Sequence, residues 1–193
     1  LTIQKLGSGD TTVTVSYDDG DPDDTCALTD TVPSCKLYMP NFHSQDGRFS
    51  AIITSDNGTE LLAVAGSTKA ADGWSGATSA VAGGSETVAV PNVSKNYYNW
   101  RSAINCQNVG GVATTLNVSY SGDEEDAYDT ASLGVGESTQ ILVFTETFLP
   151  DAWQGGATIT AETGAEVACT VGNSRTDGSP SGDWTSQYNA YNK

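Results

Sequence analysis

The sequence predicts an all-β protein arranged as two tandem antiparallel Ig-like β-sandwich domains, on three observations. Apolar and polar residues alternate with a period of two along most of the chain, which gives each short strand one apolar face. Gly, Asp, Asn and Ser interrupt that alternation at short intervals, and no stretch carries the 3.6-residue apolar stripe of a helix. The pattern is also written twice. Leu1–Tyr17 lies without a gap over Ile104–Tyr120, where Gln4, Gly7, Thr11, Thr12, Val15, Ser16 and Tyr17 recur as Gln107, Gly110, Thr114, Thr115, Val118, Ser119 and Tyr120. Phe49–Gly66 lies over Gly155–Gly172, where Ala51, Ile53, Thr54, Gly58, Glu60 and Gly66 recur as Ala157, Ile159, Thr160, Gly164, Glu166 and Gly172. A spacing of 103 to 106 residues is the size of a small domain, not of a solenoid repeat.

The first domain is expected over residues 1–86 and the second over 87–193, with the boundary near Gly83–Glu86. In chain order, Thr11–Tyr17 sets Val13, Val15 and Tyr17 on one face. Thr114–Tyr120 does the same with Leu116, Val118 and Tyr120. Ser50–Ser55, Glu60–Ala65, Thr87–Pro91, Gln140–Thr145, Ala157–Ala161 and Ala165–Val171 also read as strands. Asp56-Asn57-Gly58 reads as a tight hairpin, because Asn-Gly accepts the positive φ angles of a type I′ turn. A short helical turn fits Asp151–Gln154 or the neighbourhood of Asp183. The stretch Thr87–Ala103 has no counterpart before Leu1. Two periods of 103 need 206 residues, 13 more than the 193 present, so either an array has been trimmed or the first domain is short of a strand.

Twenty-four acidic against eight basic residues leave a net charge of −16, which repels nucleic acid and anionic membranes. No apolar run reaches the ~20 residues of a membrane-spanning helix. No basic and apolar leader is visible and the first residue is Leu, which reads as a processed product of export.

The four cysteines fit an oxidising compartment. Cys26 and Cys35 bracket a short loop. Cys106 and Cys169 both fall on inward positions, and their counterparts in the first repeat are Ile3 and Ala63. A bridge between the two faces of one core, replaced by packed aliphatics in the other repeat, accounts for both. The alternative is two free buried thiols. No CxxC occurs, so zinc and thiol-redox chemistry have no support.

Catalytic patterns are missing. His43, the only histidine, falls in a polar loop, and no G-x-S-x-G occurs, so the chain is not expected to be an enzyme. In the acidic run Asp18–Asp24, Asp19, Asp21 and Asp23 alternate and could face one Ca²⁺; a solvated loop explains the same residues, as it does Asp123–Asp126. Glycosylation sequons stand at Asn57, Asn92 and Asn117. Tyr97, Tyr98 and Trp100 form an aromatic cluster, joined by Tyr188 and Tyr191, that suits a core, a subunit interface or sugar stacking.

The string Asn96-Tyr97-Tyr98-Asn99-Trp100, then Ile104 to Gly110 (I-x-x-Q-N-x-G), Leu116 to Tyr120, Leu133 to Ser138, Leu149-Pro150, Gly156-Ala157 and Asn173 resembles a secreted tandem β-sandwich repeat of bacterial cell-surface proteins. The first repeat departs from it, with Lys5 in place of the Asn and His43-Ser44 in place of Leu-Pro. The resemblance implies an exported or cell-surface β-protein. The expected role is that of a structural subunit of an extracellular filament, sheath or surface layer. Its partners would be further copies of itself, joined head to tail by β-strand exchange, with Leu1–Leu6 or Ser186–Lys193 as the strand donated. A carbohydrate-binding module or adhesin is the alternative.

Overall fold

Alternating β-branched and polar residues become strands wherever a partner lies alongside to cover the apolar face, and the computed structural model, which describes residues 1–38, 50–69, 74–176 and 185–193, is all-β. The chain divides into two compact units. One comprises Leu1–Gly66 with Thr78–Ala80, the other Ser67–Ala77 with Val81–Lys193.

The first unit contains β1 (Thr2–Lys5), β2 (Thr11–Tyr17), β3 (Asp24–Leu28), β4 (Ser34–Lys36) and β5 (Ala51–Ser55). Next come β6 (Leu61–Lys69) and β7 (Trp74–Ser79), whose residues are divided between the two units. One sheet runs β4-β1-β6-β7 and the other β3-β2-β5, all described pairings being antiparallel. Ile3 and Ala63 from the first sheet meet Val13, Val15 and Leu28 from the second in one apolar core. That is a sandwich-like arrangement.

The second unit contains β8 (Thr87–Tyr97), β9 (Trp100–Asn108), β10 (Leu116–Tyr120), β11 (Asp123–Asp129), β12 (Ser138–Leu142), β13 (Trp153–Ala161), β14 (Val167–Arg175), β15 (Thr185–Asn189) and β16 (Tyr191–Asn192). Their hydrogen bonds link all nine, but β8 and β9 pair in register only near the hairpin tip, where Lys95 faces Arg101 and Tyr97 faces Trp100. Below the tip the strands part into two layers. One is β11-β10-β13-β8 with β16 beside β8; the other is β12-β9-β14-β15. Val88, Val90, Leu116, Val118, Tyr120 and Ile159 of the first layer pack on Ile104, Cys106, Ile141, Val167, Cys169 and Val171 of the second.

The pairings of one unit recur in the other. Tyr17 faces Ala51 and Val15 faces Ile53, as Tyr120 faces Ala157 and Val118 faces Ile159. Ile3 faces Ala63 as Cys106 faces Cys169. The Leu6 amide donates to the Glu60 carbonyl as that of Val109 donates to Glu166. Gly110, which follows, lies so close to that strand that a Cβ there would come within 2.7 Å of the Glu166 nitrogen.

Three local expectations are corrected. Asp56-Asn57-Gly58 is not a hairpin, because β5 and β6 belong to different sheets. The Asn57 side chain carries the chain across instead. Its Oδ1 accepts from the Thr59 amide at 3.1 Å and its Nδ2 donates to the Asp10 carbonyl at 3.0 Å. Val143–Thr145, read as the end of a strand, is a 3-10 turn, while Asp151 and Ala152 form a turn with Ala152 at φ 58°. Third, Cys106 and Cys169 bridge neighbouring strands of one layer rather than opposite faces. Their Cα atoms are 4.1 Å apart, close to the spacing of a non-hydrogen-bonded antiparallel pair. The second disulfide joins Cys26 to Cys35. Asp183 lies outside the described residues.

Candidate functional site

The outer edge of β5 is the feature that sets the first unit apart. β5 pairs with β2 on one side, and among the described residues nothing pairs with its other side. Its counterpart β13 lies between β10 and β8. On that second side Thr160 faces Thr87, Ile159 faces Val88, Thr158 faces Ala89 and Ala157 faces Val90. The effect on the core is direct. Ile159, Val88 and Val90 are fully buried, whereas Ile53 and Ala51 are half-buried at the rim of a smaller core. An edge strand with unpaired N–H and C=O groups beside an uncovered apolar rim is a template for another strand.

The acidic turn, which leads from β2 to β3, is tied at its first residue to the start of β5. The Asp18 amide donates to the Ser50 carbonyl at 3.1 Å, and the Ser50 amide donates back to Asp18 Oδ1 at 2.5 Å. The Tyr17 hydroxyl donates to Asp24 Oδ2 at 2.8 Å, and burial, reinforced by that carboxylate, raises the phenol well above its ordinary pKa. Asp19 Oδ1 accepts from the Asp21 amide at 3.1 Å, a local turn. Asp19, Asp21 and Asp23 do not converge: among the described residues, no three His, Cys, Asp or Glu side chains could hold a metal ion. Of the three residues expected to face Ca²⁺, Asp19 serves the local turn. His43 and Ser44 lie outside the described residues.

Tyr97, Tyr98 and Trp100 sit at the β8–β9 hairpin tip. Tyr98 and Asn99, at φ 47° and 65°, make the two-residue turn that brings Tyr97 opposite Trp100. Tyr98 is 74 % exposed and packs edge-on against Tyr97 at 4.7 Å between ring centres. Tyr191 is also exposed, while the Tyr188 hydroxyl donates to the Asn92 carbonyl. Of the sequon side chains, Asn57 is tied to Asp10, and Asn117 Nδ2 donates to Asp129 Oδ1 at 2.9 Å. Asn92 is exposed in the middle of β8.

Neither terminal segment expected as a donor is spare. β1 lies inside its sheet between β4 and β6, and the C-terminal strands pair with β14 and β8 in their own unit.

Two buried lysines were missed. Lys5 Nζ donates to the Gly9 carbonyl and to Asp30 Oδ1, both at 2.5 Å. Lys95 Nζ donates to the carbonyls of Glu146 at 2.7 Å and Leu149 at 2.5 Å. The signal for Lys5 was its position two residues after Ile3, which puts it on the inward face.

No protein-family model matches the chain, and no curated protein matches it. A solved structure of Thermotoga maritima 1070 is similar over 57% of this chain and 96% of its own, at 9% identity and a TM-score of 0.42.

Proposed function

We propose that this chain is a structural subunit of an extracellular filament, sheath or surface layer, and that its copies join by β-strand exchange. The supporting observation is that among the described residues one side of β5 is unpaired, and Ile53 there is only partly buried although its counterpart Ile159, with β8 alongside, is fully buried. In this reading the two units are sister Ig-like sandwiches dividing near residue 86, of the bacterial surface-repeat kind. Their work is assembly rather than turnover, and their partners are further copies. Two disulfides, and the lack among the described residues of a helix long and apolar enough to cross a membrane, are compatible with export. Electron microscopy and sizing of native material test it. A rod or lattice that survives mild detergent and yields 20.0 kDa units on harsh denaturation is the expected result. A monodisperse monomer at high concentration overturns it.

A carbohydrate-binding module or adhesin is the second reading, favoured by Tyr98 standing exposed beside Tyr97 on a rigid hairpin tip. Glycan binding abolished by Tyr98→Ala, with the fold intact, would establish it.

A further inference from the structure

We infer that Asn57 is a deamidation site that the fold holds closed, and that its conversion loosens the crossing between the two sheets of the first unit. The chemistry is independent of how copies assemble. Asn57-Gly58 is the pairing in which it meets least resistance, because the attacking amide belongs to a residue with no side chain. The Gly58 nitrogen attacks the Asn57 Cγ and gives up its proton. The Cγ–Nδ2 bond then breaks, and that nitrogen leaves as ammonia. Water opens the resulting succinimide at either carbonyl. One product is aspartate; the other is isoaspartate, with the main chain rerouted through Cγ.

The carboxamide is held at both ends. Its Oδ1 accepts from the Thr59 amide at 3.1 Å, from the Thr59 hydroxyl at 2.7 Å and from the Thr11 hydroxyl at 3.0 Å. Its Nδ2 donates to the Asp10 carbonyl at 3.0 Å. Attack requires Cγ to turn toward the Gly58 nitrogen, and Nδ2 must come away from Asp10 to leave. These bonds resist both movements, so the reaction waits for the turn to open locally. Gly58, at φ 74° with open space where a Cβ would stand, gives no steric protection of its own. The second unit has no such site. Glu162-Thr163-Gly164 occupies this turn, and Thr163 carries no amide to lose. Thr114, the counterpart of Thr11, accepts there from the Glu162 amide at 2.9 Å.

Residues 56–60 carry the chain from β5, which pairs with β2, to β6, which pairs with β1 in the other sheet. They are fastened to the connection between β1 and β2. The Asp56 amide donates to the Thr12 carbonyl at 3.0 Å, and the Leu6 amide to the Glu60 carbonyl at 2.9 Å. Asn57 ties the crossing down between these two bonds. With a carboxylate in its place the Nδ2 donor is gone, and an anionic oxygen faces the Asp10 carbonyl. The Thr11 hydroxyl has one proton to give and already lies 2.9 Å from Asp56 Oδ1, so two carboxylates then compete for it. Asp10 and Asp56, on either side, repel the new charge in a chain already at −16. Isoaspartate also adds a methylene to the crossing itself.

The test is peptide mass spectrometry on the full chain, incubated near neutral pH either folded or in urea with both disulfides intact. Conversion of Asn57 should be about tenfold slower, or more, in the folded chain. Equal rates overturn the inference. Thr11→Val and Thr59→Val each remove a donor to Oδ1. Each should speed the folded-state reaction about threefold and leave the rate in urea unchanged. That acceleration should exceed any seen in hydrogen exchange of the β2 amides, so that it reports the turn and not the whole unit. No acceleration, or one that only matches β2 exchange, overturns the assignment to these bonds. Asn57→Asp stands in for the main product. Amides of Ala51–Ser55 and of residues 61–64 should then exchange about tenfold faster, with those of β9 and β14 unmoved. Exchange as slow as in the parent chain overturns the loosening.

Discussion

β5 and β13 share a sequence pattern, a place beside the strand that ends in tyrosine, and a register, yet they differ in what they bury. Ile159 is out of contact with solvent, whereas Ile53, on the matching turn of the pleat, is only partly buried. Nothing in the two strands themselves explains this. The difference is β8, which lays Val88 and Val90 over the second unit's core and has no partner strand over the first among the described residues. Apolar pattern sets which face of a strand points inward, but a neighbour decides whether that face becomes dry.

The cysteines sharpen this comparison most. Cys106–Cys169 occupies the site filled by Ile3 and Ala63 in the first unit. Grafting that pair, as Cys106→Ile with Cys169→Ala, keeps the apolar contact and removes a cross-link between residues 63 apart. The second unit should lose about 4 kcal/mol in the chain-entropy model. Denaturant unfolding followed through the exchange of β9 and β14 amides measures it. A loss under ~1 kcal/mol would mean that the aliphatic pair is as good a solution as the bridge.

Truncating the two isoleucines comes next. Ile159→Ala should cost roughly 3 kcal/mol, as for a sealed core position. Ile53→Ala should cost about 1 kcal/mol, since its side chain is only partly buried. Equal costs would refute the claim that the edge of β5 is open. Opening the Cys26–Cys35 bridge, a loop with separation 9, should cost the first unit roughly 2–3 kcal/mol and leave the second unchanged. Thermal unfolding of Cys26→Ala with Cys35→Ala reads it.

Much of this was legible beforehand. The inward faces of β2 and β10, the repeat, and the stretch with no counterpart before Leu1 all follow from local periodicity, which sequence records directly. What was missed depended on long-range partners. Asn57-Gly58 has hairpin chemistry, but where β5 and β6 go is set by β2 and β1, with which they pair in different sheets. Cys106 and Cys169 were rightly read as inward, yet inward residues can meet across a core or along a sheet. Only the adjacency of β9 and β14 decides between these. The alternating aspartates of the turn suggested a cation; in the structure Asp19 accepts from the Asp21 amide, and the flanking Asp18 and Asp24 accept from the Ser50 amide and the Tyr17 hydroxyl.

The smallest predicted effect concerns a substitution that looked like a departure and is a replacement in kind. Lys5 stands where the second unit has Asn108, and both are buried. Each side chain reaches the carbonyl four residues on: Lys5 Nζ to Gly9, and Asn108 Nδ2 to Val112 at 2.8 Å. Asn108 satisfies its other donor on the Leu133 carbonyl at 3.3 Å and is neutral throughout. Lys5 brings a charge, which Asp30 answers, and the lysine's hydrogen bond, helped by the Gly9 amide, holds the Asp30 carboxyl below its ordinary pKa. A carboxyl depressed in the folded state contributes its stabilisation in full above the unfolded value of about 4, and loses it as pH falls through the folded value. The first unit should therefore weaken in acid through a group with no equivalent at Asn108. Asp30→Asn should remove that part of its pH dependence and leave the second unit's profile unmoved. The change will be small, because Asp30 itself is exposed to solvent. An NMR titration in which Asp30 ionises at or above the usual carboxylate value would break the argument, reducing Lys5 to a backbone clamp like Asn108.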